Sequence, residues 1–172
     1  VTGVQTCALP IYLMLDGAGI ACASSTFGFA RRTIAALSTF EAGACPVIGF
    51  ADTLPLRDAV LANGVMVHGL DFDDTHLTGV VHVTSSCFPT ALGAAWAAQR
   101  SGRDMLTAYV LGVEAAARIG KVAKGEMNQL GFHPTGVVAA FGCALIAGKL
   151  EGLTREQLVM AQGIALSMAA GT

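Results

Sequence analysis

Two stretches of the chain, Thr75 to Gln99 and Met127 to Gly148, contain no Asp, Glu, Lys or Arg. Each is about as long as the ~20 apolar residues that cross a bilayer, so each must end in lipid or in the interior of a packed protein. The first run holds His76, His82, Pro89 and several Ser and Thr; the second holds Asn128, Gln129, His133 and Pro134. A hydrocarbon environment penalises such groups. Much of the apolar content is Ala and Gly rather than Leu and Ile, and small residues let helix backbones approach closely. Both runs therefore read as tightly packed helices of a soluble protein, with no membrane association. Hydrophobic residues make up 53% of the chain, enough to exclude disorder and to require a large buried core.

The pattern along the chain is helical. Apolar, small-residue helices are expected over 12–23 and 26–38, and CPVIGF (45–50) is a lone strand candidate. Thr53 reads as a cap with Pro55 in the first turn of a helix running through Val67. Another helix starts between Thr84 and Pro89 and stops at Ser101-Gly102. Asp104 reads as the cap of the next, whose stripe of Leu106, Tyr109, Val110, Val113 and Ala117 ends before Gly120. GFHP (131–134) is a break, Gly152 stops the helix that follows, and Thr154 with Gln157 forms a capping-box pattern for a last one. The expectation is an all-α chain of about seven helices joined by short links. Residues 1–11 (VTGVQTCALPI) resemble a translated sequencing artefact and are set apart from 12–172, which reads as a partial helical domain. ALSMAAGT stops inside an apolar pattern, again pointing to a fragment.

Charge and cysteine usage exclude several classes. Net charge is -2, and no basic run exceeds Arg31-Arg32, so no nucleic-acid partner is expected. Five cysteines, odd in number and without CxxC, suggest neither zinc site nor disulfide framework. Buried free thiols in a reducing cytoplasm are the simplest account.

HGLDFDDTHLTGVVHVTSSCFP (68–89) gathers His68, His76 and His82 with Asp71, Asp73 and Asp74, although charged residues are only 13% of the chain. Three readings compete. The group can cap and solvate a helix end. It can ligate a divalent cation, although DxDDxH matches no standard motif, and DDxxD fails at Leu77. Or it can do acid–base work: an imidazole abstracts a proton beside a carboxylate, Asp71 or Asp74 orients the ring of His82, and Thr75 donates to a substrate oxygen. His133 would join from afar, at a helix start that attracts anions.

LMLDGAGIACASS, NGVMVHGLDFDDTH, HVTSSCFPTALGAAWAA and the run from GFHPT onward together resemble the MmgE/PrpD family, which includes 2-methylcitrate dehydratase, cis-aconitate decarboxylase and an iminodisuccinate epimerase. LDFDDTH and GFHPT in this order, about sixty residues apart, carry most of its specificity. The resemblance implies the N-terminal part of a large helical domain, with a smaller α+β lid absent from this stretch, and a homodimer. It implies a site without metal or cofactor that acts on a small di- or tricarboxylate. Matched by motif, Asp71, Thr75, His82 and His133 fall on the family's active-site residues. Val83 stands where a Pro is common, and Thr75 to His82 is one residue longer than in the decarboxylase branch. The resemblance also implies a substrate-binding lysine and a further histidine later in a full-length chain, so this piece alone is expected to be inactive. Dehydration of a 2-methylcitrate-like substrate is the expected reaction; decarboxylation and epimerisation need the same carbanion-like stage, and a non-catalytic helical scaffold is the rival.

Overall fold

The computed structural model describes residues 3–123 and 125–169, with side chains from residue 8 onward. Helix α1 (Gly3–Ser24) carries Pro10 inside it. Its last carbonyls accept from side chains just beyond: Ser25 Oγ donates to Cys22 O at 2.7 Å and Thr26 Oγ1 to Ala23 O at 2.8 Å. Those bonds satisfy groups that a helix end leaves open. Helix α2 (Gly28–Leu37) then departs at 89°.

The strand expected over 45–50 shrinks to β1 (Cys45–Pro46), antiparallel to β2 (Thr53–Leu54). The cause is the buried Asn63 of α3 (Leu56–His68). Its Oδ1 accepts from the Ile48 N–H at 2.8 Å, and its Nδ2 donates to Pro46 O at 3.2 Å. A side chain thus takes the hydrogen bonds that a partner strand would have made. Thr53 lies in β2 and does not cap α3; Pro55 occupies the N-cap position.

Helix α4 (Thr84–Ala97) contains Pro89. Helix α5 (Gly102–Val122) is capped by Ser101, with Asp104 at N3 completing a capping box, not by Asp104 itself. The helix runs two residues past Gly120, which is a close-contact position: a Cβ there would lie 3.1 Å from Gly79 O. A short α6 (Glu126–Gln129) precedes the GFHP break and is an element the sequence reading did not anticipate. Helix α7 (Pro134–Glu151) ends on Gly152 in the left-handed region (φ +79°), and α8 (Arg155–Met168) begins with the expected Thr154–Gln157 box. The described residues therefore form eight helices and one two-residue ladder, and the all-α expectation holds.

Helix α7 packs against α4, α5 and α8, while α3 packs on α4 and α1. By length and composition α7 could cross a membrane, but here it is the central helix of a core containing Cys87, Tyr109, Val138 and Ile146. The α5–α7 crossing depends on two facing glycines. A Cβ on Gly142 would sit 2.8 Å from Gly112 O, and one on Gly112 would meet the Ile146 side chain at 2.4 Å. Small residues at the crossing are what the Ala/Gly-rich apolar runs supply. Of the four cysteines with described side chains, Cys45 and Cys87 are buried and Cys143 is half-buried, whereas Cys22 is exposed, contrary to expectation; all four are free thiols.

Candidate active site

Helix α3 ends at His68 and Gly69, and the chain folds back at once. The Asp71 N–H donates to His68 O at 2.9 Å, with Asp71 in the left-handed region at φ +56°. Aspartate tolerates that conformation better than most side-chain-bearing residues. The reversal gives the four residues of DFDD different environments. Asp71 and Phe72 are exposed, Asp73 is buried, and Asp74 is partly buried.

Asp73 is the electrostatic centre of the segment, and its side chain is wholly buried. Its Oδ1 accepts from His68 Nδ1 at 2.9 Å and lies 3.9 Å from His82 Nδ1. The two imidazoles are mutually tilted, with ring centroids 5.1 Å apart. A buried carboxylate set beside two imidazoles orients the rings through hydrogen bonding. Sequence reasoning gave the orienting role to Asp71 or Asp74. Asp71 does lie in the cluster, since one ligand atom from each of His68, Asp71, Asp73 and His82 comes within 4.8 Å of the others. Asp73, however, makes the short contact.

Asp74 does a different job. Its Oδ1 accepts from the Thr84 N–H at 3.1 Å, capping α4 from ten residues upstream. Burial pushes its carboxyl above the usual range, and the Thr84 hydrogen bonds oppose that rise. Thr84 Oγ1 in turn pairs with Tyr109 OH at 2.6 Å, and burial of that phenol pushes its pKa up. His76 closes the loop: its Nδ1 accepts from the Gly79 N–H at 3.0 Å, and its backbone bridges to Val81. Of the three clustered histidines, then, one serves the loop and two face the buried carboxylate.

Thr75 is exposed, its Oγ1 3.5 Å from His82 Nδ1. His133 is exposed at the N-cap of α7, with no side-chain cap bond and Pro134 following it. Two residues further on, the buried Thr135 accepts from the His82 N–H through its Oγ1 at 3.0 Å. That bond joins the GFHPT segment to the loop carrying Asp73 and Thr75. A cleft of about 410 Å³ opens between α3, α4 and the start of α7. His68 and His133 share its wall with Ser85, Ser86 and Thr135, opposite Val60, Leu61 and Val65. His82 was expected on that wall; the wall histidines are instead His68 and His133, and His82 packs against the His68 ring.

His68, Asp73 and Thr135 are the residues the sequence reading did not assign. A cue existed for His68: it falls in the last turn of a helix stopped by glycine, so whatever follows must fold back beside it. None of the cleft-lining residues is Lys or Arg. Positive potential comes from the N-terminal turn of α7, whose open N–H groups favour an anion.

The chain matches the MmgE/PrpD N-terminal domain model over residues 7–172. It is similar to a cis-aconitate decarboxylase of Aspergillus terreus, 32% identical over 167 residues, covering 93% of this chain and 34% of the relative. The cis-aconitate decarboxylase-like protein oryM of Aspergillus oryzae is 28% identical over 169 residues, covering 93% of this chain and 35% of that protein. A cis-aconitate decarboxylase of Homo sapiens is 37% identical over 122 residues, covering 67% of this chain and 25% of the relative. The chain thus spans about a third of the length of the Aspergillus relatives.

Proposed function

The chain belongs to the MmgE/PrpD family, and from that premise we propose that the protein containing it is a lyase acting on a small di- or tricarboxylate through a carbanion-like stage next to a carboxylate. The observation that carries this reading is the buried Asp73 beside His68 and His82, bonded through Thr135 to the segment that bears His133. Imidazoles suit the task, because a proton donor or acceptor works best with a pKa near the operating pH. Asp73 orients and polarises its histidine neighbours. His133, at the mouth of the cleft and free of structural hydrogen bonding through its side chain, exchanges the proton with substrate. Thr75 binds a substrate oxygen beside His82. The start of α7 receives a substrate carboxylate, and Val60, Leu61 and Val65 receive the carbon skeleton.

The relatives' names favour decarboxylation. In that reaction the C–C bond to one carboxylate breaks, CO2 leaves, and the electron pair left behind is protonated by an imidazolium. Dehydration of a 2-methylcitrate-like hydroxy acid is the second reading, since it passes through the same carbanion-like stage. There an imidazole removes the α-proton, and hydroxide departs as water after protonation. Either reaction passes through negative charge beside a carboxylate, which is where positioned imidazole N–H donors act.

The test is to assay the full-length protein with cis-aconitate for CO2 release and with 2-methylcitrate for absorbance of a conjugated alkene, between pH 6 and 9. The expected outcome is turnover of one of these acids. If no tricarboxylate or hydroxy-diacid is consumed anywhere in that range, the lyase reading fails.

A further inference from the structure

We propose that His68, Asp71, Asp73 and His82 form a binding site for a divalent transition-metal ion of the zinc type, and that the ion, once bound, withdraws both imidazoles of the cluster from the reaction. The metal site stands on the geometry alone; only the inhibition rests on the lyase reading.

One ligand atom from each of the four residues lies within 4.8 Å of the other three. Two donors on ~2.0–2.1 Å bonds at a tetrahedral angle sit about 3.3 Å apart. His68 Nδ1 and His82 Nδ1 are 2.9 and 3.9 Å from Asp73 Oδ1, so the observed separations bracket that value. Small rotations of two partly exposed rings would equalise them. An acidic cluster alone would mean little, but Asp73 supplies an independent observation. Its side chain has no exposed surface, and its Oδ2 has no hydrogen-bond partner among the described residues. A buried carboxylate oxygen left without a donor is costly, and a cation held by both oxygens of Asp73 would satisfy it. Asp71, held in the left-handed region, adds a second carboxylate from the solvent side.

The donor set selects the ion. Two imidazoles and two carboxylates suit Zn²⁺ and its neighbours, whereas Mg²⁺ and Ca²⁺ take mostly oxygen ligands. The ion would replace the proton that links His68 to Asp73 and would occupy the His82 nitrogen facing the same carboxylate. Neither ring could then carry that proton, and Asp73 would no longer polarise them.

The experiment is a titration of the purified protein with Zn²⁺ by calorimetry and with Co²⁺ by visible absorption. Wild type, Asp73→Asn, His68→Gln and Cys143→Ser are compared, with circular dichroism verifying the fold of each. One equivalent is expected to bind, with tetrahedral Co²⁺ bands and no sulfur charge-transfer band. Asp73→Asn and His68→Gln should each weaken binding by at least about tenfold, while Cys143→Ser should leave it unchanged. His68 is partly exposed at the end of α3, so its variant stays informative even if Asp73→Asn unfolds. Equal affinity in His68→Gln and wild type, a sulfur charge-transfer band, or no binding at millimolar metal would each overturn the site. In the active full-length protein, Zn²⁺ should inhibit at the concentration at which it binds, reversibly with a chelator. Metal binding by a protein that turns over no polycarboxylate would uphold the site and count against the lyase reading instead.

Discussion

The hydroxyl of Thr135 accepts a hydrogen bond from the backbone N–H of His82 at 3.0 Å, across 53 residues of chain. This bond ties the GFHPT segment to the end of the loop that follows LDFDDTH. It fixes the start of α7, and with it His133, against the loop that holds Asp73 beside its two histidines.

Removing the Thr135 hydroxyl should therefore loosen both halves of the site. In Thr135→Val the shape is kept, but the His82 N–H loses its acceptor in a partly buried position, a loss of about 1–3 kcal/mol. The urea midpoint should fall accordingly, and Thr135→Ser should recover most of it. A midpoint unchanged in the valine variant would show that water replaces the bond and that the link is not structural.

His133 separates catalysis from stability. Its side chain is exposed and makes no cap bond, so His133→Ala should shift stability by no more than about 0.5 kcal/mol. In the full-length protein the same change should lower kcat by at least about 100-fold, the usual range for a lost acid–base group. Near-normal turnover would remove His133 from the mechanism.

Asp74 predicts the sign of a pH effect. Burial holds its folded-state pKa above the ordinary 3.8, so over a window beginning near 3.8 the folded protein binds more protons at this site than the unfolded chain. Stability contributed by this group is then present at low pH and lost as pH rises through the window. Asp74→Asn keeps an oxygen to accept from the Thr84 N–H but cannot ionise. Relative to wild type, its urea midpoint should gain as pH rises from about 4. A constant difference between the two proteins over that rise would refute the assignment.

Gly142 sets two effects of opposite sign against each other. Alanine improves helix propensity by about 1 kcal/mol, but its Cβ would lie 2.8 Å from Gly112 O and 3.2 Å from the Cys87 sulfur. Backbone cannot yield as a flexible side chain does, and overpacking of this kind costs about 1–3 kcal/mol. Gly142→Ala is expected to lower the melting temperature, whereas Gly163→Ala, with nothing within 4 Å of its Cβ, should not.

Local chemistry was legible where a residue acts on its own neighbours. The Thr154–Gln157 box, the glycine stop at 152, the GFHP break and the helical character of most of the chain depend on contacts within a turn or two. The misreadings arose where a distant group intervened. Asn63 holds Ile48 and Pro46 and replaces a strand partner. Gly120, expected just beyond the end of α5, lies inside it at a close approach to Gly79. Asp74 caps α4 from outside.

The same division runs through the site. Which residue types were available, three aspartates and two of the relevant histidines within one short segment and a third histidine at a helix start, could be read from residue order alone. Which aspartate meets an imidazole could not. Asp71, Asp73 and Asp74 are nearly equivalent as letters; the reversal after Gly69 and the packing of α3 on α4 expose the first, bury the second and turn the third toward the Thr84 N–H. Sequence determined the inventory and the helices that carry it, because propensity and capping act over a few residues. Tertiary structure decided the pairings, because burial and hydrogen-bond distance belong to residues brought together from separate elements.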